Sequence, residues 1–251
     1  MTVNAIIMTV RGRKDLTAQC LRSMVATLDG EQVLLSLVDA GEGSEKILYS
    51  QELNVWLGGL NGPVIETYFH EPGCGISTGW NIAIERANHY WHNEEMNCWL
   101  LNNDVVFKKP GWLKLLAGRL AVPGTGMVGC YGMSVFGHPF VTGGIWGFRY
   151  FDASALVLAE GGGDILDEHF DKSLQDVDLS LRFAKAGYTV THVPGLEHGE
   201  DPYMVHSVSS TGLTLHGSEA ALRKLREPEH RAFIDKWGRK DGKEGYEGVV
   251  E

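Results

Sequence analysis

The chain has 251 residues, of which 43% are hydrophobic and 22% are charged, as in folded proteins and unlike disordered or fibrous ones. Its net charge of -10 opposes a broad, sequence-independent grip on nucleic acid, which requires many lysine and arginine side chains facing phosphates. The length favours one main domain, with room for a small terminal appendage.

The cysteines and the apolar segments indicate where such a chain would reside. The four cysteines are widely spaced and form no C-x-x-C pair, so we expect buried thiols rather than disulfides or a structural zinc site. No apolar stretch approaches the length of a membrane span, and the amino terminus lacks the pattern of a signal peptide. We therefore expect a cytoplasmic protein without transmembrane contact.

Strand and helix patterns alternate along the first half of the chain. Strands are predicted over residues 3–10, 33–38, 64–69 and 98–101, and helices begin near Asp15, Thr78 and Pro110. Such alternation is typical of a parallel sheet covered by helices on both faces, which keeps its ligands at the carboxyl ends of the strands.

The second half of the chain has a weaker pattern. Residues 124–163 are rich in glycine and aromatic residues, and we interpret them as irregular sheet and mobile loop. A helix is predicted over residues 175–186 and a strand over 188–193, and Ser218 is a candidate cap of a last helix. We predict a main domain over residues 1–212 and a helical appendage or lid over 213–251.

A polar cluster follows the strand at residues 98–101. Asn102, Asn103 and Asp104 come directly after it, where an open α/β sheet would hold a metal ion and a diphosphate. The alternative is a plain turn, because Asn and Asp are common turn formers.

Two further acids follow or begin predicted elements. Asp39 ends the second strand and could accept hydrogen bonds from a nucleobase or ribose, or only cap a loop. Asp176 opens the late helix and could take a proton from a hydroxyl group, or only complement the helix dipole. Asp178 is about 200° away from Asp176 around the helix axis, so the two cannot share a face.

Three histidines, His192, His198 and His206, lie close together late in the chain. His198 stands beside acids just after a predicted strand, and we select it as a second ligand of an ion held by Asp104, although a lone surface histidine is the simpler interpretation.

Two common phosphate-binding motifs are missing. The sequence has no G-x-G-x-x-G after the first strand and no G-x-x-x-x-G-K-[ST], so it indicates neither a dinucleotide oxidoreductase nor a P-loop enzyme. Arg11, Arg13 and Lys14 follow the first strand and could hold phosphate charge or simply be solvated.

Taken together, these segments resemble the family-2-like glycosyltransferases with the GT-A fold, from about Ala5 to His198. The strongest match is the run QDVDLSLRFAKAGY at residues 175–188, which is similar to the family's Glu-Asp-Val-Asp-Leu-Ser-Leu-Arg segment and its Ala-Gly-Tyr ending. Residues 101–104, followed by Pro-Gly-Trp-Leu at 110–113, resemble the family's variant D-x-D element and its next helix. Asn102 replaces the first acid of D-x-D, and Gln175 replaces a Glu.

The resemblance implies a fold, an activity and a set of site residues. The fold would be a Rossmann-like three-layer α/β sandwich with a mostly parallel sheet. The activity would be a metal-dependent inverting transfer of a sugar from a nucleoside diphosphate to an acceptor hydroxyl, with Asp176 as the base. Mn²⁺ or Mg²⁺ would bind Asp104 and His198. The implied nucleotide-binding residues are Thr9, Arg11, Asp39, Gly75, Asn81, Asn102 and Asn103, and the implied acceptor-binding residues are Gly144, Trp146 and Gln175.

Two other functions remain open at this point. One is a non-catalytic module that binds a nucleotide sugar or a glycan on the same fold. The other is a sugar nucleotidyltransferase, which is disfavoured because its glycine-rich first loop is missing. A glycan or another hydroxyl-bearing molecule is the expected acceptor. A hydroxylated nucleobase in DNA is possible but not favoured, because the protein is acidic.

Overall fold

A computed structural model of the chain describes residues 2–42, 51–57, 64–91, 95–135, 137–171, 173–207 and 218–238. The strands are β1 (Thr2–Val10), β2 (Val33–Asp39), β3 (Val64–His70), β4 (Glu95–Leu101), β5 (Val105–Phe107), β6 (Thr125–Val135), β7 (His138–Arg149), β8 (Thr189–His192) and β9 (Met204–His206). The helices are α1 (Lys14–Ala26), α2 (Gln51–Trp56), α3 (Ile76–Tyr90), α4 (Trp112–Leu120), α5 (Tyr150–Ala159), α6 (Gln175–Lys185) and α7 (Glu219–Trp237).

The central sheet has seven strands in the order β3-β2-β1-β4-β7-β6-β8. Strands β3, β2, β1 and β4 are parallel, β7 is antiparallel to both β4 and β6, and β8 is parallel to β6. A second sheet of two strands pairs β5 with β9. The mostly parallel sheet predicted from the sequence is confirmed.

Helices cover both faces of this sheet, so the core has two layers of side chains. One face packs against α1, α2 and α4. The other face packs against α3, α5 and α6. Burial of β2 along its whole length follows from this arrangement, since a central parallel strand contacts apolar side chains on both faces.

The prediction of irregular sheet within residues 124–163 is confirmed, with a shift of register between Gly129 and Tyr131, but the prediction of a mobile loop is wrong for most of this region. Most of this region forms the long hairpin of β6 and β7, followed by α5. At several glycines of β6 and β7, atoms of a neighbouring strand lie so close to the backbone that no side chain would fit. A Cβ on Gly129 would lie 2.7 Å from Val141, and one on Gly147 would lie 2.2 Å from the carbonyl oxygen of Cys98. Glycine in a strand can therefore indicate close packing rather than a loop.

Helix α7 packs against α6 and the chain before it. Phe233 is completely buried in a small cluster with Phe170 and Val177. Ser218 caps the helix by accepting a hydrogen bond from the backbone N–H of Ala221, as the sequence suggested. The predicted division between residues 212 and 213 lies outside the described residues.

The environment of the cysteines agrees with the sequence. Cys20, Cys98 and Cys130 are buried, Cys74 is half-buried, and all four are free thiols. Within the described ranges, no helix is both long enough and apolar enough to cross a membrane.

Candidate functional site

Three parallel strands deliver polar groups to one edge of the sheet. Strands β1, β2 and β4 all run in the same direction and end near this edge, at Val10, Asp39 and Leu101. Residues 102–104 follow β4 directly and lead into β5. Pairing of β5 with β9 sets Val105 opposite His206, which brings the late histidine beside Asp104.

Asp104, Glu197 and His206 form one buried group, which we call the acid–imidazole cluster. The Nε2 atom of His206 lies 3.1 Å from Oδ1 of Asp104, and its Nδ1 atom lies 3.4 Å from Oε1 of Glu197. The side chain of His206 is 9% exposed, so both ion pairs are shielded from water. One imidazole therefore bridges two carboxylates.

The charges in the acid–imidazole cluster support one another. Burial alone would raise the pKa of Glu197, but hydrogen bonds from His206, Cys130 and the backbone N–H of Gly144 lower it to about 2. Burial would likewise lower the pKa of His206, but the carboxylates of Asp104 and Glu197 raise it to about 9. At neutral pH Glu197 is therefore ionised and the imidazole of His206 is protonated.

Glu197 also ties the cluster to strand β7. Its Oε2 atom accepts hydrogen bonds from Sγ of Cys130, at 2.7 Å, and from the backbone N–H of Gly144, at 2.9 Å. Burial and the nearby carboxylate raise the pKa of the Cys130 thiol, which keeps its proton for this bond. A Cβ on Gly143 would lie 2.4 Å from Glu197, so this position requires glycine.

Asn102 also connects the acid–imidazole cluster with strand β7. Its side-chain nitrogen lies 3.3 Å from the carbonyl oxygen of Gly143, to which it donates, and 3.4 Å from Nε2 of His206. Its backbone N–H donates to the carbonyl oxygen of Gly144. The predicted site residues Asn102 and Gly144 thus meet at the cluster.

The histidine selected from the sequence is not the one beside Asp104. The side chain of His198 is 62% exposed and lies 3.7 Å from Glu197, with its ring against that of Tyr131. His206 makes the direct contact instead. The pairing of β5 with β9 decides which histidine reaches the acid, and this pairing is not visible in local sequence patterns.

Asp176 lies in the first turn of α6, where the sequence predicted it. Its carboxylate accepts hydrogen bonds from the hydroxyl of Thr142 and from the backbone N–H of Val177. Burial raises the pKa of Asp176, against the effect of these bonds. Thr142 directly precedes Gly143 and Gly144, so Asp176 and the acid–imidazole cluster are joined through one short segment of β7.

Asp178 has a different environment, although it is only two residues further along. Its side chain is 1% exposed and faces α7, where Oδ1 accepts a hydrogen bond from Nε1 of Trp237 at 2.7 Å and pairs with Nζ of Lys236 at 2.8 Å. Arg182 lies 4.0 Å away. The expected separation of the two acids around the helix is confirmed, but Asp178 is buried under α7 and does not face solvent.

Four of the predicted nucleotide-binding residues lie at or just beyond the ends of β1, β2 and β4. Asp39 is fully buried and accepts hydrogen bonds from the backbone N–H of Gly41 and the hydroxyl of Tyr68, both at 2.9 Å. Asn103 is also buried and donates to Oγ1 of Thr17 at 3.1 Å. The other two residues lie at the end of β1. The hydroxyl oxygen of Thr9 is buried without a hydrogen-bond partner in the described part of the chain, and Arg11, just after the strand, is exposed.

Gly75 and Asn81 contact the segment before α6. The carboxylate of Asp171 accepts hydrogen bonds from the first turn of α3 and occupies the space that a Cβ on Gly75 would fill. The side-chain amide of Asn81 donates to the carbonyl oxygen of Leu166 and accepts from its N–H. In this structure both residues attach residues 166–171 to α3, which is a role other than the predicted nucleotide contact.

The two remaining residues predicted on the acceptor side are both largely buried. Trp146 is 2% exposed and packs edge-on against Trp80, so in this structure it is a core side chain with no free face for a sugar ring. Its contact with the acceptor stays a prediction. Gln175 is 8% exposed, and its Oε1 atom has no hydrogen-bond partner within the described ranges.

The donor set near Asp104 is suited to a divalent cation that also binds phosphate. Carboxylate oxygen and imidazole nitrogen are both ligands of Mn²⁺, and Mg²⁺ sites commonly use one or two carboxylates together with substrate phosphates. Among the residues that the structure describes, no group of three or more His, Cys, Asp or Glu side chains is arranged to hold a metal ion alone. Asp104 and His206 are therefore candidate ligands for such a cation, which would need further ligands from outside the described residues.

Sequence reasoning missed Glu197, Cys130 and the role of His206. In the sequence, Glu197 stands out only as one of the acids beside His198, and Cys130 only as one of four widely spaced cysteines. Two local features of the sequence accompany these residues. Glu197 comes two residues after the Pro194-Gly195 pair that follows β8, and Gly143 and Gly144 form a glycine pair within β7, where a Cβ would be too close to its neighbours. Their meeting depends on pairing between distant strands.

Comparison with known proteins identifies the fold. No protein-family model and no curated protein matches the sequence. Among solved structures, the chain is similar to the mannosyltransferase PcManGT from Pyrobaculum calidifontis in complex with GDP-Man and Mn²⁺, with a TM-score of 0.62 and 16% sequence identity. The similarity covers 92% of this chain and 64% of that chain, so this protein spans less than two thirds of its neighbour. At this identity the likeness establishes a Rossmann-like α/β fold of the kind found in glycosyltransferases.

Proposed function

We propose that this protein is a family-2-like glycosyltransferase with the GT-A fold, which moves a sugar from a nucleoside diphosphate to an acceptor hydroxyl with inversion. The observation that carries the proposal is the shared support of two acidic groups. Residues 142–144 of β7 contact both Asp176, through Thr142, and the acid–imidazole cluster, through Gly144. A metal-binding group and a candidate base thus adjoin one segment.

Asp104 and His206 are the residues that would hold Mn²⁺ or Mg²⁺. When bound, the cation offsets the negative charge that develops on the departing diphosphate. Glu197 keeps the His206 ring oriented, as a carboxylate does for many metal-bound imidazoles. Because the pKa of His206 is raised to about 9, its ring would have to lose a proton in order to hold a metal ion, so metal binding would be stronger at higher pH.

Asp176 would accept the proton of the attacking hydroxyl. Burial raises its pKa, which makes the carboxylate a better proton acceptor. Thr142 fixes the carboxylate through its hydroxyl. The amide oxygen of the adjacent Gln175 has no hydrogen-bond partner among the described residues, so it is suited to accept a hydrogen bond from the acceptor molecule.

The acidic surroundings favour a neutral acceptor. Glu200 and Asp201 follow the cluster in the chain, and the nearby Lys109 is already paired with Asp201 at 2.6 Å. A glycan or another uncharged hydroxyl compound fits this charge distribution better than DNA does. For the donor we give GDP-mannose the first place in a screen, because the similar solved structure contains it.

The test is a screen of nucleoside diphosphates and their sugars by thermal shift, with Mn²⁺ or with a chelator. We expect one donor to stabilise the protein only when metal is present, and to be hydrolysed slowly by the wild type. The variant Asp176→Asn should keep the metal-dependent stabilisation and lose the hydrolysis.

Two outcomes would oppose the proposal. Stabilisation by no nucleotide under any condition would remove the donor site. Equal hydrolysis by wild type and Asp176→Asn would remove the proposed base. Binding without turnover in either protein would instead support a non-catalytic module on the same fold.

A further inference from the structure

Helix α7 contacts α6, the helix that carries Asp176, at the buried carboxylate of Asp178. Asp178 is 1% exposed, and α7 supplies both of its close partners, the indole N–H of Trp237 and the ammonium group of Lys236. An ionised carboxylate is costly to bury unless it is paired. Displacement of α7 would leave this carboxylate without those donors, so the contact couples the two helices at this point.

The same helix also holds the chain that enters α6. Lys236 pairs with Asp167 at 2.7 Å as well as with Asp178, and Glu229 accepts a hydrogen bond from Ser173 at 3.0 Å. Leu174, the residue that precedes α6, has a φ of +71°, an unfavourable value for leucine. The contacts on both sides of Leu174 keep this turn in place.

Helix geometry connects these contacts with Asp176. Because Asp176 and Asp178 are about 200° apart around the helix axis, the rotation that places Asp178 against α7 also places Asp176 against Thr142. A rotation or shift of α6 would move both acids together. A misplacement of about 1 Å at a reacting group can cost roughly 100-fold in rate.

The chemistry of the contact also indicates a positioning role. Replacing a buried ion pair with apolar side chains of similar size is often neutral or stabilising, so burial of charge is a poor means of stabilising a helix contact. A charge with directed donors permits one relative position of the two helices, which apolar packing alone does not. We propose that Lys236 and Trp237 are positioning residues that hold Asp176 in its reactive place through Asp178, an inference that rests on the proposed function.

The test uses two variants that preserve packing. Trp237→Phe keeps an aromatic ring and removes the N–H donor, and Lys236→Met keeps the aliphatic stem and removes the charge. The matched control is Lys224→Met, at an exposed position on the same helix. Lys236→Arg tests rescue by a conserved charge. For each full-length protein, kcat and KM for donor hydrolysis, nucleotide affinity with Mn²⁺ and amide exchange in α6 are measured.

We expect kcat to fall about 10- to 100-fold in Trp237→Phe and Lys236→Met, with donor KM and nucleotide affinity unchanged. Amide exchange in α6 should become roughly tenfold faster, while exchange in β5 stays the same. Lys236→Arg should recover most of kcat, and Lys224→Met should match the wild type. A general loss of structure would instead weaken nucleotide binding and speed exchange in both elements, which would overturn the positioning role.

Unchanged kcat and unchanged exchange in both variants would also overturn it. Failure of the proposed function is recognised separately, because then the wild type itself neither binds a nucleotide with Mn²⁺ nor hydrolyses a donor. In that case the exchange of α6 still decides whether Lys236 and Trp237 fix the position of Asp176.

Discussion

The protein holds its acids in two different ways in two neighbouring regions. In the acid–imidazole cluster, Asp104 and Glu197 share one buried imidazole, and each carboxylate is stabilised by opposite charge. In the first turn of α6, Asp176 faces a hydroxyl and a backbone N–H, and its pKa is raised by burial. The first arrangement is suited to keeping negative charge for a cation, and the second to receiving a proton.

The largest expected effect is on kcat, and it distinguishes Asp176 from Asp178 in α6. Asp176→Asn should lower kcat by about 10²- to 10⁴-fold and leave thermal stability nearly unchanged, because the proposed role of this group is proton transfer. Asp178→Asn removes a buried charge that Lys236 and Trp237 contact and should cost about 1–3 kcal/mol of stability. Steady-state kinetics and denaturant unfolding of both variants measure this difference. A large loss of stability in Asp176→Asn with little kinetic change would reverse the assignment.

The next effect distinguishes the two candidate metal-binding histidines. His206→Gln should weaken Mn²⁺-dependent nucleotide binding by roughly 10- to 100-fold, because a ligand and its oriented contact with Asp104 are lost. His198→Gln is the matched control, since that side chain is exposed and does not contact Asp104 directly. Calorimetric titration with a nucleoside diphosphate and Mn²⁺ gives both affinities. Equal affinities of the two variants would remove His206 from the site.

A pH profile tests the proton-accepting region alone. The base must be deprotonated to act, and burial raises the pKa of Asp176 above its ordinary value of 3.8. Activity should therefore fall on acidification at a pH above 3.8, and kcat/KM measured at saturating Mn²⁺ at each pH should show this limb. Because Asp176→Asn has no group to titrate there, its residual activity should lack the limb. A limb at or below 3.8 in the wild type would contradict the described environment of Asp176.

The smallest expected effect concerns a residue outside both regions. Trp146→Phe should lower stability by about 1–3 kcal/mol, because it leaves a cavity in the core, and should leave acceptor KM unchanged. Unfolding and acceptor kinetics together check this. An increase in acceptor KM without loss of stability would instead support the predicted contact of Trp146 with a sugar.

Local patterns were sufficient for much of the fold. Most strands and helices of the first half could be predicted because apolar residues repeat with the period of each element, and their alternation is typical of a mostly parallel sheet. Helix α2 and the short strand β5 were not predicted. In the β6–β7 region the sequence predicted irregular sheet but not a long regular hairpin, because its many glycines are also typical of loops. Those glycines are required by contacts such as that of Gly147 with Cys98, which exist only after β4 and β7 have paired.

The candidate site divides in the same way. Asp104 could be predicted because it follows a buried strand directly, and Asp176 because it opens a helix with a recognisable motif. His206 and Glu197 could not, because they reach Asp104 and Gly144 through the pairing of β5 with β9. The burial of Asp178 could not be predicted from local sequence either, because its partners lie on α7, about 60 residues further along the chain.

The most direct test of the whole account is a crystal structure of the protein with Mn²⁺ and a nucleoside diphosphate, GDP being the first choice. The account predicts that the metal binds Asp104 and His206 and bridges them to the diphosphate, with Asp176 facing the same cavity from the side of β7. A metal bound elsewhere, or a nucleotide seated where Asp176 shares no cavity with it, would contradict the account.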